Sequence, residues 1–289
     1  MNSDQLGFDF LPELPTSEPV PKKRAPRAAK APVVAKAVAA AAVPAVAPTD
    51  PEAMAQALEA HPDYRVLRRL QPRLQWPGTA QGSVTRILVL DTETTGLDQA
   101  KEKIIELALL RVDVDSATGL PLGEVQVYDG LEDPGKPIPA EVVKITGITD
   151  ADVRGQALDA ARVAQLLEGV DVVIAHNAGF DRPFVEARFP AFSDVAWACS
   201  FVDIDWKGQG RGSAKLESLA QDNGWFYDAH RAEMDCHALL AVLARPLPLA
   251  QHTGLTHLLQ AARHPSYRLS ATNAPFDAKD LLKARGYRW

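Results

Sequence analysis

RILVLDTETTGLD, residues 86–98, is the stretch whose reading decides the fold. An apolar run, Ile87-Leu88-Val89-Leu90, ends in Asp91, and a second acid, Glu93, follows two residues later. Side chains at i and i+2 of an extended strand point to the same face. A strand that holds through Glu93 therefore presses two carboxylates together at the end of a buried segment. Like charges that close repel and lose solvation, so each opposes the other's ionisation. Something elsewhere in the chain must compensate.

The chain has 289 residues, a formal net charge of −6 and 46% hydrophobic residues. At roughly 150 residues per domain this allows one good-sized core with appendages. Two cysteines, Cys199 and Cys236, can build neither a disulfide framework nor a closed zinc site, and they suit a reducing compartment. The opening MNSDQLGFDFLPELP has no basic segment followed by an apolar one, which argues against a secretory signal. The greasiest run, VAAAAVPAVAP, is broken by Pro44 and is far shorter than the ~20 residues of a membrane span. The expectation is a soluble cytoplasmic protein with no membrane partner. An acidic total argues against a nucleic-acid partner, but the charge is uneven. Arg65, Arg68, Arg69 and Arg73 precede the opening stretch, and Arg245, Arg263, Arg268, Lys279, Lys283, Arg285 and Arg288 follow the core against only Asp277 and Asp280. Basic flanks around an acidic centre fit either a grip on a phosphate backbone or solvated surface charge.

Working outward, residues 1–50 are rich in Ala, Pro and Lys and read as a disordered tail. Its PKKRAPR string has the composition of a nuclear-import signal, a match that short basic strings also make by chance. Its QLGFDF segment places Gln5, Phe8 and Phe10 at the spacing of short peptides that bind bacterial sliding clamps, with Phe8 where Leu or Met is usual. A chance apolar patch is the competing reading. Residues 51–82 read as a basic helical linker, one or two short helices interrupted by His61-Pro62. The patterned domain spans residues 83–245. SVTRILVLD, EKIIELALLRVDVD and GEVQVYDGLED are strands joined by short turns, which predicts an antiparallel meander. A mostly helical stretch follows, then a short apolar strand, VDVVIAHN, a helix in FDRPFVEARF, and a fifth strand in DVAWACSFVDI. KLESLAQDNG and RAEMDCHALLAVLA are the last two core helices. Strands first, then strands alternating with helices, predict an α/β fold with a mixed sheet. Pro246 and Pro248 mark a boundary, beyond which residues 246–289 hold a helix and a small basic module. There Tyr267, Phe276, Tyr287 and Trp289 interleave with basic residues, as a folded module or a stacking surface for nucleic acid would have them.

Three further stretches put charge where a core would prefer none. In VIAHNAGFDRPFV a buried strand ends at His176-Asn177, and Asp181 follows; as a cap for the next helix it would be unremarkable. In HRAEMDCHALL, Asp235 lies on a helix and His230 five residues upstream. Five helical residues turn about 500°, so the two share one point only if His230 sits on the loop before the helix. Taken together these positions converge, because strand ends and helix starts meet at one edge of such a sheet. Four carboxylates there repel unless hard cations neutralise them, and oxygen-only ligands favour Mg²⁺ or Mn²⁺. Two ions ~3.5–4 Å apart can activate water and stabilise the leaving oxygen of a phosphodiester.

On LDTETTGLD, HNAGFD and HRAEMD, in that order, and on the intermediate KITGITDADV, the chain resembles the DEDDh (DnaQ-like) family of 3′→5′ exonucleases. The member it is most like is the proofreading epsilon subunit of bacterial DNA polymerase III. The resemblance covers residues 86–243 and implies a ribonuclease-H-like fold, a five-stranded mixed sheet with helices on both faces. It implies two divalent cations, Mg²⁺ or Mn²⁺. Asp91 would bridge both, Glu93 and Asp235 would hold the one bearing the water, and Asp181 would serve the other. His230 would be the general base, a role that an imidazole titrating near neutrality suits. Backbone at Thr94, Thr95 and Gly96 would lie along the terminal nucleotide, Leu97 would wedge against its base, and His176 and Asn177 would position the strand. The implied reaction is hydrolysis of the last phosphodiester of a single-stranded DNA 3′ end, in repair or proofreading, with a sliding clamp or a DNA polymerase as partner. Trimming of RNA 3′ ends, or a non-catalytic nucleic-acid or clamp-binding scaffold, are the alternatives. Nothing in the motifs reads the 2′-hydroxyl on which the choice between DNA and RNA rests.

Overall fold

The computed structural model describes residues 50–264 and 272–285. Asp50 opens the first helix, α1 (Pro51–Glu59): its carboxylate accepts from the backbone N–H groups of Glu52 and Ala53, and Pro51 sits where a missing N–H is harmless. The chain is then extended, giving two-residue strands β1 (Arg68–Arg69) and β2 (Gln75–Trp76). Three long strands follow as an antiparallel meander: β3 (Val84–Thr94), β4 (Ile104–Asp115) and β5 (Pro121–Leu131). Then come α2 (Ala140–Thr146), α3 (Asp150–Val153), α4 (Ala160–Leu167), β6 (Val172–Ala175), α5 (Ala178–Arg188) and β7 (Ala196–Cys199). The remainder holds α6 (Leu216–Asp222), β8 (Trp225–Phe226), α7 (Ala232–Leu243), α8 (Gly254–Ala262) and α9 (Lys279–Ala284).

The main sheet has the order β2-β5-β4-β3-β6-β7, with β6 and β7 parallel to β3. The five strands β3 to β7 are the mixed sheet expected from the sequence, and β2 adds a sixth at the edge by pairing with Gly123–Glu124. Strand β3 shows why helices must cover both faces. Ile87 and Val89 pack with Leu219, Leu239, Leu243, Leu255 and Leu258 from α6, α7 and α8. Leu88 and Leu90 pack on the other face with Val163, Leu166, Phe184 and Val185 from α4 and α5. All four strand residues are fully buried. Truncating one of them, as in Leu88→Ala, carries the cost typical of a buried leucine, about 2–5 kcal/mol.

Two expectations need correction. The stretch from Pro51 to Leu74 is helical only through Glu59. Pro62 disfavours helix for His61, and Arg68–Arg69 are drawn into a parallel ladder with Trp225–Phe226. The basic cluster there is also largely spoken for: Arg65 approaches Asp222, Arg68 binds Glu52 and Glu59, and Arg69 binds Asp228, which leaves Arg73 without an ion-pair partner among the described residues. Finally, the Pro246 boundary does not set α8 apart, because Leu255, Leu258 and Leu259 are buried in the same core as α7. Cys199 and Cys236 are unpaired, as expected. Among the described residues no helix is long and apolar enough to cross a membrane. Gln5, Phe8, Phe10, Tyr267, Tyr287 and Trp289 lie outside the described residues.

Candidate active site

The extended geometry of β3 does continue through Glu93, as far as Thr94, with a register shift against β4 only after Glu93. Asp91 and Glu93 share the face on which Ile87 and Val89 meet α7, and both are half-buried. Thr92 points the other way and is buried. Strand β6 pairs with β3 only from Ile87 to Leu90, so the N–H of Thr92 has no β6 carbonyl to bond. Asp181, from α5, takes its place: its Oδ1 accepts from Thr92 N at 3.1 Å and from Thr92 Oγ1 at 2.8 Å. Asp181 is 2% exposed and is not a cap; Asn177 holds that position, in the left-handed conformation with φ 71°.

The last acid arrives from α7. Asp235 Oδ1 accepts from the Tyr227 hydroxyl at 2.8 Å, and Oδ2 from Arg231 N at 3.2 Å. His230 stands on the loop before α7, the placement that a shared point with Asp235 requires. It is exposed and left-handed at φ 63°, a conformation that histidine adopts uncommonly and that clusters at functional sites. Its neighbour Arg231 is anchored to Glu106 of β4 by bonds of 3.0 and 2.7 Å from Nε and Nη2, and the N–H of Ala232 donates to the same carboxylate at 2.9 Å. Glu106 is fully buried and lies directly across from Glu93 in the β3–β4 ladder. Sequence reasoning missed it. The available signal was a lone acid inside the apolar run IIELALL, which a buried strand tolerates only with a partner. Tyr227 and Thr92, which orient two of the acids, carried no signal of their own.

One carboxylate oxygen each from Asp91, Glu93 and Asp235 come within 4.8 Å of one another. Burial, followed by the charge of Asp181, Asp235 and Glu93, pushes the Asp91 carboxyl well above the usual range. Burial and then Asp235, Glu106 and Asp181 raise Glu93 to about 8, and burial raises Asp181 to about 7 against the bonds from Thr92. Asp235 is raised by burial, with Tyr227 and His230 working against the shift. Neither the Asp91 nor the Glu93 carboxylate accepts a hydrogen bond or makes an ion pair among the described residues. An oxygen-only set that is crowded and uncompensated fits hard divalent cations. Asp91, Glu93 and Asp235 could hold one, and Asp181, whose charge acts on Asp91, lies next to them on the α5 side.

The remaining predicted positions surround this cluster. Thr94 and Thr95 are buried, their hydroxyls donating to Gly96 O at 2.7 Å and Glu102 Oε2 at 2.5 Å. A Cβ on Gly96 would come within 3.1 Å of Glu102, which keeps that turn tight. Leu97 is 72% exposed, unusual for a leucine beside a fixed turn. His176 bonds Ser200 Oγ through Nδ1 at 2.7 Å and meets the edge of Phe201, and burial lowers its pKa to about 4.

A family model described as Exonuclease matches residues 88–243. The PolC-type DNA polymerase III of Bacillus subtilis is 33% identical over 181 residues, which is 59% of this chain and 12% of that one. The PolC-type enzyme of Listeria innocua is 36% identical over 106 residues, 35% of this chain and 7% of that one. The chain thus spans about a tenth of the length of these polymerases. The epsilon subunit of DNA polymerase III from Treponema pallidum is 28% identical over 189 residues, 62% of this chain and 83% of that one. Among solved structures, E. coli Exonuclease I in complex with a 5cy-dT13 oligonucleotide superposes with a TM-score of 0.48 at 22% identity, over 61% of this chain and 43% of that one.

Proposed function

The chain belongs to the exonuclease family, and on that premise we propose that it is a metal-dependent 3′→5′ exonuclease of single-stranded DNA that releases nucleoside 5′-monophosphates. The observation that carries this reading is the convergence of Asp91, Glu93 and Asp235, none of which makes an ion pair among the described residues. Two divalent cations held by these acids and Asp181 would supply an activated water and stabilisation of the leaving oxygen.

The chain's own residues do the rest. His230 takes the proton of the attacking water, from an exposed loop position beside Asp235. Tyr227 and Arg231 N fix the Asp235 carboxylate, and Thr92 fixes Asp181, so the acids need little reorganisation when substrate arrives. The backbone at Thr94, Thr95 and Gly96 lines the terminal nucleotide, and Leu97 offers an apolar wedge to its base. His176, held neutral by burial, and Asn177 position the strand from the β6–α5 turn. Similarity to DNA polymerase III components favours DNA over RNA and a cytoplasmic role in repair or proofreading. Gln5, Phe8 and Phe10 would tether the enzyme to a sliding clamp.

The test is a single strand labelled at its 5′ end, offered as DNA and as RNA of one sequence with Mg²⁺ or Mn²⁺. The expected result is a ladder shortening by one nucleotide at a time, faster on DNA, and abolished in Asp91→Ala with the fold intact. An undiminished rate in Asp91→Ala overturns the metal assignment, and faster RNA cleavage overturns the substrate. Deleting residues 1–12 should weaken clamp pull-down without changing the rate on free oligonucleotides; unchanged pull-down removes the tether.

A further inference from the structure

A second site lies behind α7. On a helix His237 and Ala241 sit roughly 160° and 120° round from Asp235, and both line a cavity of about 560 Å³. That cavity is therefore separated from the acid cluster by the thickness of the helix. Its size is that of a small-molecule site, and its other walls come from the segment around β1 and β2 and from β8.

Arg73 lies over the Trp76 ring with Cζ 4.5 Å from the centroid, and Arg245 lies over Trp225 at 5.2 Å. Neither guanidinium has a carboxylate in ion-pair reach among the described residues, whereas Arg69 on the same rim is bound to Asp228 at 2.8 Å. Trp76 Nε1 is buried and has no hydrogen-bond partner among the described residues, and His237 Nε2 is held only by the Glu233 carboxylate, whose Oε1 stands 3.5 Å away. His237 is 3% exposed. Buried polar atoms are normally satisfied, so an orphaned indole N–H beside a weakly held imidazole nitrogen calls for a ligand with hydrogen-bonding groups. Two unpaired guanidinium groups call for an anion, and their fork geometry suits phosphate. The guanidinium groups layered on the two indole rings suit a further planar ring, as in base stacking on aromatic and arginine planes.

We propose that this cavity binds a nucleotide, its phosphate on Arg73 and Arg245 and its base against Trp76 and Trp225, at a site distinct from the acid cluster. The occupant is either a free mononucleotide or one nucleotide of a longer strand, since both present the same groups. The site rests on its own residues and does not depend on the nuclease reading.

Tryptophan fluorescence of the full chain, titrated with dAMP in EDTA so that no hydrolysis intervenes, tests it. Saturable quenching is expected, with binding at least tenfold weaker for inorganic phosphate or deoxyadenosine alone. The Arg73→Ala/Arg245→Ala double variant, altered at two exposed positions, should bind at least tenfold more weakly, while Asp91→Ala binds dAMP as the wild type does. Should far-UV circular dichroism show the double variant unfolded, the single Arg73→Ala and Arg245→Ala variants are read in its place. Displacement of dAMP by a dT12 strand assigns the cavity to strand nucleotides, and failure to displace it assigns the cavity to free mononucleotide; both support the proposal. Absence of saturable quenching, unchanged binding in the arginine variants, loss of binding in Asp91→Ala, or phosphate binding as tightly as dAMP would each overturn it.

Discussion

At His230 stability and the proposed role as general base pull in different directions. Its left-handed backbone, φ 63°, costs a non-glycine residue roughly 1–2 kcal/mol. A glycine removes that cost and adds chain entropy to the unfolded state. His230→Gly is therefore expected to hold or raise the thermal midpoint, with a gain of at most about 1 kcal/mol, while activity falls by the 10²–10⁴-fold typical of a lost general base. The drop should be smaller than for Asp91→Ala. A variant as active as wild type removes His230 from the reaction. Asp91, Glu93 and Asp235, which the structure brings together, and Asp181, whose charge acts on Asp91, could be singled out in the sequence because each sits at a strand end or helix start where a charge is conspicuous. Glu106 was not, because its justification is a partner 125 residues away, Arg231.

At the scale of elements, the start of α7 is set by that buried carboxylate. Glu106 collects Arg231 Nε and Nη2 and the Ala232 N–H, and so fixes where the helix begins and how His230 leaves it. Glu106→Ala strands a buried N–H and releases a half-exposed arginine. Since Arg231 can turn to water, the expected loss is about 1–3 kcal/mol rather than that of a fully buried ion pair. Glu106→Gln, which keeps acceptors for Arg231 and Ala232, should recover part of that loss; chemical denaturation of the three proteins measures both. A Glu106→Ala protein as stable as wild type would show that the clasp does not hold the helix. The long strands β3 to β5 and helices α5 to α8 were readable from apolar patterning. The two-residue strands β1 and β2 were not: Arg68–Arg69 and Gln75–Trp76 have no periodicity, and only their pairing with β8 and β5 makes them strands.

For the molecule as a whole, the acid cluster makes stability depend on pH and on divalent cations together. Glu93 and Asp181 have carboxyl pKa values raised on folding, from 4.5 to about 8 and from 3.8 to about 7. A raised carboxyl favours the folded state while it stays protonated, so this contribution is full below about pH 4 and lost as pH rises towards 8. In EDTA the thermal midpoint should therefore fall across that window, and less steeply in Glu93→Gln. Mg²⁺ or Mn²⁺ should raise it far more at pH 8 than at pH 5, where protons occupy the acids. Equal effects at both pH values would mean that the cations bind elsewhere. The central claim is that these acids form a metal cage. The most direct measurement is an anomalous difference map from crystals grown with Mn²⁺ at pH 8. The account predicts a peak among Asp91, Glu93 and Asp235, with any second peak between Asp91 and Asp181, and no such density in Asp91→Ala. Manganese bound only away from these residues would contradict it.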